Sequence, residues 1–98
     1  MATLYRNYDR AALDVQYNAR ATVPDIQPIL KQYAEDSALA RRTLDCVLDV
    51  SYGEHADESL DIFPAAGGAR GAPVFVYIHG GYWRLLSKSD SSNMAPAF

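Results

Sequence analysis

The stretch Val74-Phe75-Val76-Tyr77-Ile78-His79-Gly80-Gly81-Tyr82-Trp83 decides how the rest of this chain is read. Its first five residues are apolar or aromatic without the polar alternation of a half-buried strand, which predicts a β-strand buried on both faces. Two adjacent glycines then allow positive φ and expose backbone N–H groups to a ligand. A histidine precedes the glycines and two large aromatics follow them.

Upstream, the pattern has period two. Leu44, Cys46, Leu48, Val50 and Tyr52 alternate with Asp45, Asp49 and Ser51, the signature of a half-buried strand. Gly53-Glu54-His55-Ala56-Asp57 is a polar turn and Leu60-Asp61-Ile62-Phe63 a second strand, so a hairpin is expected. Pro64 to Pro73, rich in Gly and Ala, reads as a surface loop. Further back, Asp9 is placed to cap a helix over 10–20, with Leu13 and Tyr17 on one face. Val23-Pro24-Asp25 interrupts it, and Asp25 caps a second predicted helix over 26–41. There Ile26, Ile29, Leu30, Tyr33 and Ala34 keep helical spacing, and Pro28 falls in the tolerant first turn.

Downstream, Ser87, Ser89 or Asp90 is placed to cap a helix through Met94 toward Phe98, although Pro96 opposes a regular interior. Residues 1–42 thus read as an N-terminal helical arm, and 43–98 as the first strands and glycine loop of an α/β domain. A strand buried on both faces needs neighbours on both edges, so the expected sheet is incomplete within this stretch.

Composition narrows the function. With 49% hydrophobic and 21% charged residues over 98 positions, the chain is globular, not disordered or fibrous. Its basic residues are scattered and its net charge is −3, which argues against a nucleic-acid surface. No apolar run approaches the roughly 18 residues of a membrane span. Met1 to Arg10 is polar and mixed in charge, unlike a secretory signal, and Cys46 is the only cysteine. A cytoplasmic protein is the expectation.

The chemistry concentrates in the glycine turn. Acyl-transfer hydrolysis places negative charge on a former carbonyl oxygen, and preorganised backbone N–H donors stabilise it without any side chain to position. Gly81 and Tyr82 are the expected donors, with Gly80 shaping the turn. An ordinary strand-ending Gly-Gly turn is the plainer reading; the preceding apolar strand and the flanking His79 and Tyr82-Trp83 favour the anion cradle. His79, at the start of the turn, suits a backbone hydrogen bond that fixes the loop better than it suits a general base. Tyr82 and Trp83 fit two roles, walls of an acyl or aryl pocket or packing beneath the loop.

Other candidates fall away. His55 with Glu54, Asp57 and Glu58 matches no tetrahedral metal spacing and reads as an exposed turn. Cys46 lies on the apolar face of its strand as a small hydrophobe. Ser87, Ser89, Ser91 and Ser92 read as cap and loop residues, and no serine stands in a Gly-x-Ser-x-Gly setting.

His79-Gly80-Gly81-Tyr82-Trp83 resembles the His-Gly-Gly-x-Trp element of the kynurenine formamidase (arylformamidase) branch of the α/β-hydrolases, near the hormone-sensitive-lipase-like esterases. Gln16-Tyr17-Asn18-Ala19-Arg20 with Val23-Pro24-Asp25 is similar to the N-terminal helical arm of bacterial members. Tyr52-Gly53 with Leu60-Asp61-Ile62-Phe63-Pro64 resembles their first hairpin. Lys88-Ser89-Asp90 with Ala95-Pro96-Ala97-Phe98 resembles the start of their first large helix.

The resemblance implies an α/β-hydrolase fold and a serine hydrolase without metal or organic cofactor. It implies an oxyanion loop from Gly80, Gly81 and Tyr82, and substrate contact by Tyr82 and Trp83. The implied partner is a small acyl ester or an aryl formamide such as N-formylkynurenine, with no nucleic acid or membrane. The family's nucleophile elbow, catalytic acid and catalytic histidine have no counterparts in these residues. The expectation is therefore the N-terminal part of a longer enzyme, inactive by itself. The alternatives are a non-catalytic ligand-binding or interaction module on a hydrolase scaffold, and an inactive truncation product.

Overall fold

Asp9 begins the first helix by accepting the Ala12 N–H on its Oδ1 at 2.9 Å, a side-chain cap that satisfies one orphan amide. The structure, a computed structural model, describes every residue except Met1 and Ala69. Helix α1 spans Arg10–Tyr17 and stops short of the predicted Arg20. Asn18 ends it, then accepts the Ala21 N–H on its own Oδ1 and opens a 3-10 turn over Ala19–Thr22. The local side-chain bond competes with helix propagation.

Helix α2 spans Gln27–Thr43. Asp25 Oδ1 accepts the Gln27 N–H at 2.9 Å, and Pro28 lies in the first turn, where a missing N–H leaves no bond unmade. Its inward stripe runs through Leu30, Ala34, Ser37, Ala40 and Arg41, while Ile29 and Tyr33 are largely exposed. Two 3-10 turns, Lys88–Asp90 and Ser92–Ala97, pack against this stripe. The contact is close because its side chains are small: Ala40, Ser37 and Ser92 are buried, and the Asn93 N–H donates to Ser37 Oγ at 2.9 Å. The single helix expected toward Phe98 is thus corrected to two short turns. Ser87 and Asp90 form a closed capping box over the first turn, and Pro96 withholds an N–H from the second.

Strands β1 (Val47–Ser51) and β2 (Ser59–Ile62) form a two-stranded antiparallel sheet with Val47 opposite Ile62, Val50 opposite Leu60 and Ser51 opposite Ser59. Three steps on β1 match two on β2, so β1 carries a bulge, and Asp49 sits in it at φ 58°. The extra residue breaks the strict alternation read over 44–52, and Leu48 and Tyr52 are exposed instead of sharing a buried face with Val50. The hairpin turn closes on itself through Tyr52 N–H to the Glu58 carbonyl and Glu58 N–H to the His55 carbonyl.

The largest correction concerns Val74 to Ile78. The segment joins no sheet, and Val74, Val76 and Ile78 are 87%, 73% and 84% exposed. A strand apolar on both faces needs a ladder on each edge and cover on each side. Among the described residues the only sheet is β1 with β2, and Phe75 finds a partner in Phe98, their rings stacked 4.3 Å apart. The chain is a mixed helix and strand structure with one antiparallel hairpin, and the wider parallel sheet is absent from the described residues. Its accessible surface is 8520 Å². A compact chain of this mass exposes about 5,500 Å². None of the described helices is long and apolar enough to cross a membrane.

Candidate functional site

The glycine turn has a geometry that only part of its sequence can adopt. Gly81 holds φ at 130°, and a Cβ there would collide with the Leu85 carbonyl oxygen. The Gly81 carbonyl accepts two amides, from Arg84 at 3.1 Å and Leu85 at 3.0 Å. Tyr82 and Trp83, the central residues of this turn, both sit in left-handed space at φ 55° and 58°, as in a type I′ turn. Each left-handed non-glycine costs roughly 1–2 kcal/mol. Among the described non-glycine residues with positive φ, Tyr82, Trp83 and Leu86 cluster here. Strain of this kind collects where a site needs a particular backbone aim.

That aim follows from peptide planarity. In a trans peptide the C=O and N–H point in opposite directions. With its carbonyl drawn toward Arg84 and Leu85, the Gly81–Tyr82 peptide turns the Tyr82 N–H the other way. Among the described residues, neither the Gly81 nor the Tyr82 N–H forms a backbone hydrogen bond. The Tyr82 and Trp83 rings tilt against each other with centroids 5.5 Å apart, and Trp83 is 97% exposed, so neither packs beneath the loop. His79 Nδ1–H donates to the Gly80 carbonyl at 2.8 Å. Gly80 and Tyr77 open onto a cavity of about 340 Å³, walled on its other side by Leu30 and Tyr33 of α2 and by Leu86 and Met94.

Immediately after the turn lies a charged cluster that sequence reading missed. Lys88 Nζ reaches Asp49 Oδ1 at 2.6 Å and Asp61 Oδ1 at 2.7 Å, and the same Asp61 oxygen accepts the Asp49 N–H at 2.9 Å. The Asp61 side chain is only 7% exposed, against 32% for Lys88. Burial raises the Asp61 pKa, but the Lys88 and Asp49 hydrogen bonds and the charges of Lys88 and Arg41 outweigh it and hold the carboxyl below its ordinary value. For Lys88 burial acts downward, and the two carboxylates overcome it and raise its pKa. The available signal was an aspartate set between Leu60 and Ile62 in an apolar strand. No spacing rule connects it to a lysine 27 residues away.

The remaining candidates have local roles. The His55 ring accepts the Asp57 N–H within the hairpin turn, at 3.0 Å. Cys46 Sγ, half-buried, lies 3.6 Å from the Arg41 carbonyl. Ser87 bonds Asp90 and Ser89, and Ser92 Oγ accepts from Arg41 at 3.1 Å. Among the described residues no three His, Cys, Asp or Glu side chains converge as metal ligands.

Comparison with known proteins gives the class first: the chain is arylformamidase-like in sequence. In particular, it is related to a kynurenine formamidase of Danio rerio, 31% identical over 97 residues and 93% of this chain, and to one of Salmo salar, 35% identical over 81 residues and 82% of this chain. It spans about a third of the length of these curated relatives, 33% and 28%. No protein-family profile matches the chain. No solved structure matches it either.

Proposed function

We propose that this chain is the N-terminal part of a serine hydrolase of the α/β-hydrolase fold that cleaves a small acyl ester or an aryl formamide of the N-formylkynurenine type. Residues 1–42 are its helical arm, and 43–98 hold its first strands and oxyanion loop. The N–H groups of Gly81 and Tyr82 stabilise the oxyanion, Gly80 shapes the turn, His79 braces it, and Tyr82 and Trp83 line the substrate. The nucleophile, acid and base come from outside these residues, and a cytoplasmic setting belongs to the same proposal. One observation carries the reading: the glycine turn, with its outward Tyr82 N–H, falls in a chain matched over 93% of its length to a kynurenine formamidase. The exposed apolar run Val74 to Ile78, which has no sheet partner among the described residues, is in keeping with it.

A fluorophosphonate probe tests the proposal. It is expected to label the complete gene product on a serine outside residues 1–98, and to leave the 98-residue chain unlabelled. Absence of labelling in a complete product that binds N-formylkynurenine favours the non-catalytic binding module instead.

A further inference from the structure

We propose that Lys88 is the positioning residue of the His79–Trp83 loop, pinning the point where the loop rejoins the fold to Asp61 and Asp49 of the hairpin. The approach to the loop is loosely held. Among the described residues, Val74 to Gly80 make no backbone–backbone hydrogen bond, and Phe75 stacks on Phe98. The exit is tightly held. Arg84 and Leu85 are tied to the Gly81 carbonyl, Leu86 takes φ 65°, and the Ser87 N–H donates to Asp90 Oδ2 at 2.9 Å. Every residue between Trp83 and Lys88 is therefore constrained, and the orientation of the 87–90 turn passes directly to the Gly81–Tyr82 peptide.

Two arms set that orientation. Arg41 of α2 donates to the Ser89 carbonyl at 2.5 Å and to Ser92 Oγ at 3.1 Å. Lys88 supplies the other arm, to the hairpin. The β1 bulge serves this arm, because it turns the Asp49 N–H onto Asp61 and leaves the Asp49 carboxylate beside Lys88. Asp61 is the fixed point: its carboxylate is almost fully enclosed, so losing Lys88 leaves a poorly solvated charge that must move or take up a proton.

The test uses Trp83, the only tryptophan, which reports the loop itself. Time-resolved anisotropy is measured on the 98-residue chain and on Lys88→Met, Lys88→Arg and Asp49→Asn, with circular dichroism as a check on the helices. Lys88→Met is expected to raise the amplitude of nanosecond depolarisation about twofold, with Lys88→Arg restoring most of the order. Asp49→Asn keeps the left-handed residue comfortable and removes one exposed carboxylate, so an intermediate loosening is expected. If Lys88→Met loses its helical signal, Asp49→Asn decides: loosening supports the proposal and unchanged anisotropy overturns it. A folded Lys88→Met that matches the native decay, or a Lys88→Arg as mobile as Lys88→Met, also overturns it.

The catalytic consequence rests on the hydrolase reading. In the complete gene product, Lys88→Met is expected to lower kcat about tenfold or more with KM little changed. An anisotropy response in a product without hydrolysis refutes the hydrolase and leaves the positioning role of Lys88 standing. Hydrolysis without the anisotropy response does the reverse.

Discussion

The Gly81 carbonyl accepts the Leu85 N–H at 3.0 Å, so the Gly81–Tyr82 peptide faces its oxygen into the turn and its N–H outward. A Cβ on residue 81 would meet that Leu85 carbonyl, which makes glycine the one residue that permits the arrangement. Gly81→Ala is therefore expected to open the turn, at a local cost on the order of 1–3 kcal/mol. Hydrogen exchange at the Arg84 and Leu85 amides checks this, and both should lose protection relative to the native chain.

Acid and base act on the Lys88 cluster in opposite ways. The Asp61 pKa is depressed below its ordinary 3.8, so its contribution is present above that value and is lost as pH falls through the lower folded one. The Lys88 pKa is raised above 10.5, so its contribution is full below that value and is lost as pH rises through the higher folded one. Arg41 adds to the field at Asp61, and Asp49 to the field at Lys88. Stability is expected to be level between these limits and to fall at both ends. Denaturant titrations across pH should show the acid limb flattened in Asp61→Asn.

Ser37 is a buried polar side chain with a specific partner, the Asn93 N–H. Ser37→Ala leaves that amide without its acceptor in the seam between α2 and the C-terminal turns. A loss of about 1–3 kcal/mol is expected. Denaturant midpoints at neutral pH measure it.

The exposed Val74 to Ile78 run is uncharged and rich in β-branched and aromatic residues. Such a segment binds hydrophobic dyes and pairs with copies of itself. The 98-residue chain is expected to bind anilinonaphthalene sulfonate and to self-associate as concentration rises, and Val76→Lys to suppress both. Sedimentation velocity of the two chains provides the comparison.

Local signals in the sequence translated well into structure. The Asp9 cap, Pro28 in the first turn of α2 and the β1–β2 hairpin all depend on neighbours within a few residues, and each appears where propensity and turn chemistry place it. The Asp49 bulge was not legible, because period-two counting assumes a ladder without an extra residue. Val74 to Ile78 shows the other limit. Its apolar pattern records what the segment is able to bury, whereas burial itself requires partners that a pattern does not supply. At the site, the glycines announced a turn of unusual backbone, but the left-handed Tyr82 and Trp83 and the Lys88 anchor are products of tertiary geometry.

The oxyanion assignment to Gly81 and Tyr82 meets its most direct test in kcat for N-formylkynurenine hydrolysis by the complete gene product, native against Gly81→Ala. A Cβ at residue 81 opens the turn and misaims the Gly81 and Tyr82 N–H donors, which is expected to lower kcat by about 10²–10³-fold with KM little altered. A Gly81→Ala enzyme that turns over at the native rate, or a native product that hydrolyses neither the formamide nor a small acyl ester, contradicts the account.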